Sequence, residues 1–71
     1  MALTCTTASG DATVTTASTA ELKVGMTVTG TGIPAGATVS SVTNATTFEL
    51  SLATTGGSVT NGTLTFGTSS I

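Results

Sequence analysis

Few side chains in this protein could do chemistry. The single cation is Lys23, the carboxylates are Asp11, Glu21 and Glu49, the one thiol is Cys5, and histidine is missing. Around them stands a large stock of serine and threonine hydroxyls. A hydroxyl becomes a nucleophile only beside a base, normally histidine or lysine, that a third group holds in place. Lys23 follows Glu21 at the spacing that puts both side chains on one solvent-facing side of an extended segment. That is a solvated pair and not a Ser–Lys dyad. Acid–base work by two carboxylates would need Asp11 brought against Glu21 or Glu49, and nothing in the spacing does this. The stretch "GTGIPAG" (Gly30–Gly36) has the glycines of a phosphate loop but neither its Lys-Ser/Thr ending nor a following helix. No catalytic residue is assigned, and the chain is not expected to be an enzyme.

The same inventory bears on cofactors and partners. One cysteine, no histidine and three scattered carboxylates offer no zinc cluster and no calcium loop, so no metal or other cofactor is expected. Cys5 has nothing basic near it in sequence to lower its pKa, and it reads as an inert, reduced small hydrophobe. A nucleic-acid binder neutralises phosphates with several Lys or Arg residues, so DNA and RNA are not expected as partners. "NAT" at Asn44 and "NGT" at Asn61 match the glycosylation pattern, but both read as turns.

The elements that carry these residues are strands. Threonine is β-branched and favours extended structure, and no long window shows helical apolar spacing. Leu22, Val24, Met26 and Val28 alternate with polar residues. So do Phe48, Leu50 and Leu52, and then Leu64 and Phe66. These sets are predicted to face inward, with Lys23, Thr27, Thr29, Glu49, Ser51 and Thr65 outward. Turn signals fall at Ser9-Gly10-Asp11, Thr43-Asn44-Ala45, Gly56-Gly57 and Asn61-Gly62. In "GIPAG", Pro34 suits position i+1 of a turn and Gly36 can take positive φ. The corner is predicted to join strands at about Val24–Gly30 and Ala37–Val42, with Ile33 plugging one end of the domain. The expected fold is all-β: a small antiparallel β-barrel or sandwich of five to six short strands, forming one domain over residues 1–71.

Length and charge then bound the role. A chain of 71 residues has a small core, and a scaffold of this size normally relies on disulfides, a metal or oligomerisation. With the first two missing, self-association or docking on a larger partner is expected. The formal charge of −2 does little to keep copies apart. "MALTCTTASG" lacks the basic start and apolar run of a signal peptide, and no run is long enough to span a bilayer as a helix. The chain is therefore expected to be cytoplasmic in origin and not membrane-bound. Thr-x-Thr pairs at Thr13/Thr15, Thr27/Thr29, Thr29/Thr31 and Thr63/Thr65 raise ice binding, but their intervals along the chain are irregular. The repeated "TTAS" occurs at one short period and does not mark a repeat architecture.

At "LKVGMTVTGTGIPAGATVSSVTNATTFELS" (Leu22–Ser51) the chain resembles a Thr/Gly-rich β module of tailed-bacteriophage virion proteins and some bacterial surface proteins. The shared pattern is a Val-Gly-Met strand, a Gly-Ile-Pro-x-Gly corner, a Val-rich strand and then Thr-Phe-x-Leu-Ser, and it covers under half the chain. In larger proteins the module is embedded or repeated. Here it sits in a short chain starting at Met1, which fits a small capsid decoration (cement) protein. The resemblance implies a virion structural protein on the capsid surface, assembled in the host cytoplasm. Its expected partners are the major capsid protein and further copies of itself, a trimer being one arrangement. It transfers no catalytic residues. The alternative it implies is a carbohydrate- or host-binding β module of a phage tail fibre or bacterial surface adhesin. The uncharged terminal stretches are the expected interface, through Leu3, Thr4, Cys5, Thr6 and Thr7 at one end and Leu64, Phe66 and Ile71 at the other.

Overall fold

The computed structural model describes residues 1–67, and within them the protein is all-β, with six strands and no helix. The strands are β1 (Ala2–Thr7), β2 (Thr13–Thr16), β3 (Val28–Thr29), β4 (Val39–Asn44), β5 (Thr47–Leu50) and β6 (Val59–Phe66). They form one antiparallel sheet in the order β3-β6-β1-β2-β5-β4. Local chemistry makes the hairpins. Between β1 and β2 the Asp11 amide donates to the Ala8 carbonyl (3.3 Å), and the Asp11 carboxylate accepts the Thr13 amide (3.0 Å). Between β4 and β5 the Asn44 side-chain oxygen accepts the Thr46 amide (2.9 Å). Such side-chain to backbone bonds are what favour Asp and Asn at turns.

The sheet curls until its first and last strands approach each other. Thr27 and Thr38 form a bridge there. The Val28 amide donates to Ala37 (3.0 Å), and the Val39 amide donates to Met26 (2.9 Å). The curl encloses a core in which Val14, Val28, Val39 and Phe48 are fully buried. Cys5, Leu22, Leu50, Leu64 and Phe66 complete the cluster, with Leu3, Ala12, Met26 and Ile33 packed against it. Phe48 and Phe66 meet edge to face, ring centroids 5.7 Å apart at 67°, the arrangement that the ring quadrupoles favour.

Gly36 has φ +85° as expected. The Ala37 amide donates to the Pro34 carbonyl (3.2 Å), so Pro34 sits at position i of this turn and not at i+1. Four other expectations are corrected. The strand proposed from Val24 shrinks to Val28–Thr29, because Lys23–Met26 is itself a turn. The Met26 amide donates to Lys23 (3.2 Å), and Gly25 sits at the third position with φ +93°, as a type II turn requires. Val24 therefore occupies the corner and is 47% exposed instead of inward. Leu52 does not continue the inward set, because β5 ends at Leu50, and it is 45% exposed. The turn expected at Thr43-Asn44-Ala45 lies later, at Ala45-Thr46. Asn61-Gly62 is not a turn but a bulge inside β6. Cys5 pairs with Gly62 and Thr7 with Val59, so β6 spends one residue more than β1 over this interval. Asn61 absorbs the surplus at φ +54°, the only non-glycine among the described residues with positive φ.

Candidate functional site

Strand register decides what the outer surface is made of. Thr29 stands opposite Thr65, and Thr63 opposite Thr4. Thr6 stands opposite Thr15, Thr15 opposite Thr47, and Thr13 opposite Glu49. Directly opposed residues share a face. These side chains are exposed or half-buried, while the alternate positions Cys5, Val14, Phe48 and Leu64 are buried. The outer face is thus a threonine array across β3, β6, β1, β2 and β5, interrupted by Glu49. Slipping any strand by one residue would turn its threonines into the core. Thr-x-Thr pairs that look irregular along the chain become aligned across strands, but on a curled sheet whose ranks bend away from a common plane.

Part of the hydroxyl chemistry is already used within the sheet. Thr13 donates to the Glu49 carboxylate (2.9 Å) and Thr16 to the Thr4 carbonyl (2.9 Å). Thr15 and Thr29 make longer contacts, to the carbonyls of Thr6 and Thr65 (both 3.4 Å). Beside the β6 bulge the Asn61 amide donates to the Thr6 hydroxyl (3.1 Å). At this point the outer face dips into an open groove of about 330 Å³, lined by Thr4, Thr6, Thr15, Thr16, Ala17 and Asn61.

A smaller cavity of about 140 Å³ lies between β1 and β6, with Cys5, Thr7, Val59 and Leu64 in its lining. Cys5 is a free cysteine, buried to 2% exposure. Burial pushes its thiol pKa up, an effect that a contact with the Thr16 side chain partly offsets. A raised pKa keeps the sulfur protonated and poorly nucleophilic at neutral pH. The Thr7 hydroxyl is buried and, among the described residues, is the one such side-chain atom without a hydrogen-bond partner.

The expected interface residues fall in several different places. Cys5, Thr7, Leu64 and Phe66 are buried, Leu3 and Thr6 are half-buried, and Thr4 is exposed. Ile71 lies outside the described residues. Neither β1 nor β6 is an edge of the sheet, because β1 lies between β6 and β2, and β6 between β3 and β1. The Met1 amine and carbonyl both bond Phe66 (3.2 and 2.7 Å). A different surface, missed from sequence, is available at β4. Its residues Ser40 to Asn44 are exposed. The Gly25 amide bonds Val39 (2.9 Å) and the Ser51 amide bonds Thr38 (2.8 Å), which brings Val24 and Leu52 toward the start of the strand that carries exposed Val42. The interruptions at Gly25 and after Leu50 were the available signals. Among the described residues no three His, Cys, Asp or Glu side chains come together as metal ligands, and no helix is long and apolar enough to cross a membrane. No protein-family model matches this sequence, and no curated protein matches it.

Proposed function

We propose that this protein is a virion structural protein, a capsid decoration or cement module that binds the major capsid lattice and stabilises it. The observation that carries the reading is the surface: a nearly uncharged threonine face, with exposed Val42 on β4 and exposed Val24 and Leu52 next to residues that bond the start of that strand. The resemblance over Leu22–Ser51 supports it. Docking through β1 or β6 by strand addition would displace a partner strand, so contact is assigned to the β4 margin, with Val24, Val42 and Leu52 as apolar anchors. Desolvated aliphatic contacts suit a lattice interface, and many weak copies on a symmetric particle hold by avidity. Co-sedimentation of the purified protein with capsids lacking it tests this. Val42→Asp should weaken attachment by at least about tenfold, because an unpaired charge would be buried, while leaving the melting temperature near the parent's. A parent that does not sediment with any capsid, or a Val42→Asp variant that attaches fully, would overturn the assignment.

A further inference from the structure

The bulge in β6 leaves Asn61 at positive φ on the outer side of the sheet. Non-glycine residues at positive φ are uncommon, and bulges recur beside functional sites, where they re-aim a side chain. Here the re-aimed residue is Asn61, which lines the groove over β1. Its side-chain amide has no hydrogen-bond partner among the described residues. Neighbouring hydroxyls are set with opposite polarity. Thr6 already accepts the Asn61 backbone amide, so its own proton is free to point outward. Thr15 leans its proton on the Thr6 carbonyl, so its lone pairs remain for a ligand. The lining therefore offers a donor, an acceptor and a carboxamide that is both, beside threonine methyls and Ala17. None of the lining residues is charged.

We propose that this groove binds a neutral polyhydroxylated ligand, one hexose unit of a surface glycan. Adjacent hydroxyls on a sugar ring both give and take hydrogen bonds, which matches the alternation along Thr15, Thr6 and Asn61. An anionic or cationic ligand would find no counter-charge in the lining. The volume of about 330 Å³ is at the lower end of the range for small-molecule sites. Phe48 and Phe66 are in the core, so no aromatic platform contributes, and affinity for one unit should be millimolar. Linked copies of the site would raise it by avidity. The proposal stands apart from the capsid reading, since the β4 margin lies beyond β2 and β5 in strand order and the groove stays open when that margin is covered.

The test is a ¹⁵N–¹H titration of the intact protein with methyl glucoside, methyl galactoside and N-acetylglucosamine, with glycerol as a control. At least one sugar should give saturable shifts at Thr4, Thr6, Thr15 and Asn61, and glycerol should not. Asn61→Gly keeps the positive φ that the bulge needs and removes the carboxamide, so it should preserve the spectrum's dispersion and weaken binding about tenfold, the worth of one to two hydrogen bonds. Thr6→Val should weaken it in the same direction. Shifts that never saturate, shifts matched by glycerol, or saturable binding unchanged in Asn61→Gly would overturn the assignment. Capsid attachment is read separately, so each proposal can fail without the other.

Discussion

Replacing Phe48 by alanine tests the register on which the core and the outer face both depend. Phe48 has no exposed surface. It pairs with Val14 on one side and Val42 on the other and meets Phe66 edge to face at 5.7 Å. Removing a fully buried phenyl ring costs about 3–5 kcal/mol, of which the aromatic contact accounts for about 0.5–1.5 kcal/mol. At roughly 0.05–0.15 kcal/mol per residue, a domain of 71 residues holds about 4–11 kcal/mol in all. The variant should therefore lose between about a quarter and all of its stability. At about 4–8 °C per kcal/mol, its melting temperature should fall by more than about 12 °C. Urea unfolding followed by far-ultraviolet circular dichroism measures this, with Val24→Ala and Leu52→Ala as companions. Both companions sit at exposed positions and should change stability by less than about 0.5 kcal/mol. A Phe48→Ala variant that melts like the parent, or a Val24→Ala variant that loses more than about 2 kcal/mol, would refute the register and the turn at Lys23–Met26.

Two further outcomes are expected. Gly36→Val should destabilise by more than about 1 kcal/mol; a Cβ there meets no atom within 4 Å, so the whole effect is backbone strain at φ +85°, and thermal melting reads it. For Cys5, burial raises the folded thiol's pKa above its ordinary 9.0. The stability this contributes is fully present below the unfolded value and is lost as pH rises toward the folded one. Stability followed by urea titration should therefore decline above about pH 9, and the decline should be shallower in Cys5→Ala.

Strand type and the inward set at Phe48, Leu50, Leu64 and Phe66 were legible in the sequence, because period-2 alternation maps directly onto the two faces of a sheet. The same rule failed at Val24 and Leu52. Alternation continues in the letters there, while the backbone stops being a strand. Gly25 breaks the run with a turn, a choice that competes with extension only once Met26 and Val39 pair across the sheet. Asn61-Gly62 misled for a related reason. The dipeptide signals positive φ, and positive φ does occur, but it serves a bulge because Thr63 to Phe66 continue the pairing with β1 and β3. The groove was invisible for a third reason. Thr6 and Thr15 meet across the β1–β2 hairpin, but Asn61 is far away in sequence, and only the strand order brings it beside them.

The place of β6 inside the sheet, between β3 and β1, sets an order of assembly. It is the last strand among the described residues, yet it lies between β1 and β3 and supplies Leu64 and Phe66 to the core. While the chain is being made, β1 has only β2 beside it, and its other edge, the unpaired backbone N–H and C=O groups of Ala2 to Thr7, is open to any extended segment that arrives first. Closing the sheet then joins residues at opposite ends of the chain, the slow kind of contact in folding. The hairpins β1–β2 and β4–β5 can form early from local turns. The enclosed core has to wait for β6, so crowding of nascent copies before that step favours strand exchange between molecules, and dilution or a bound chaperone favours closure of the sheet within one chain.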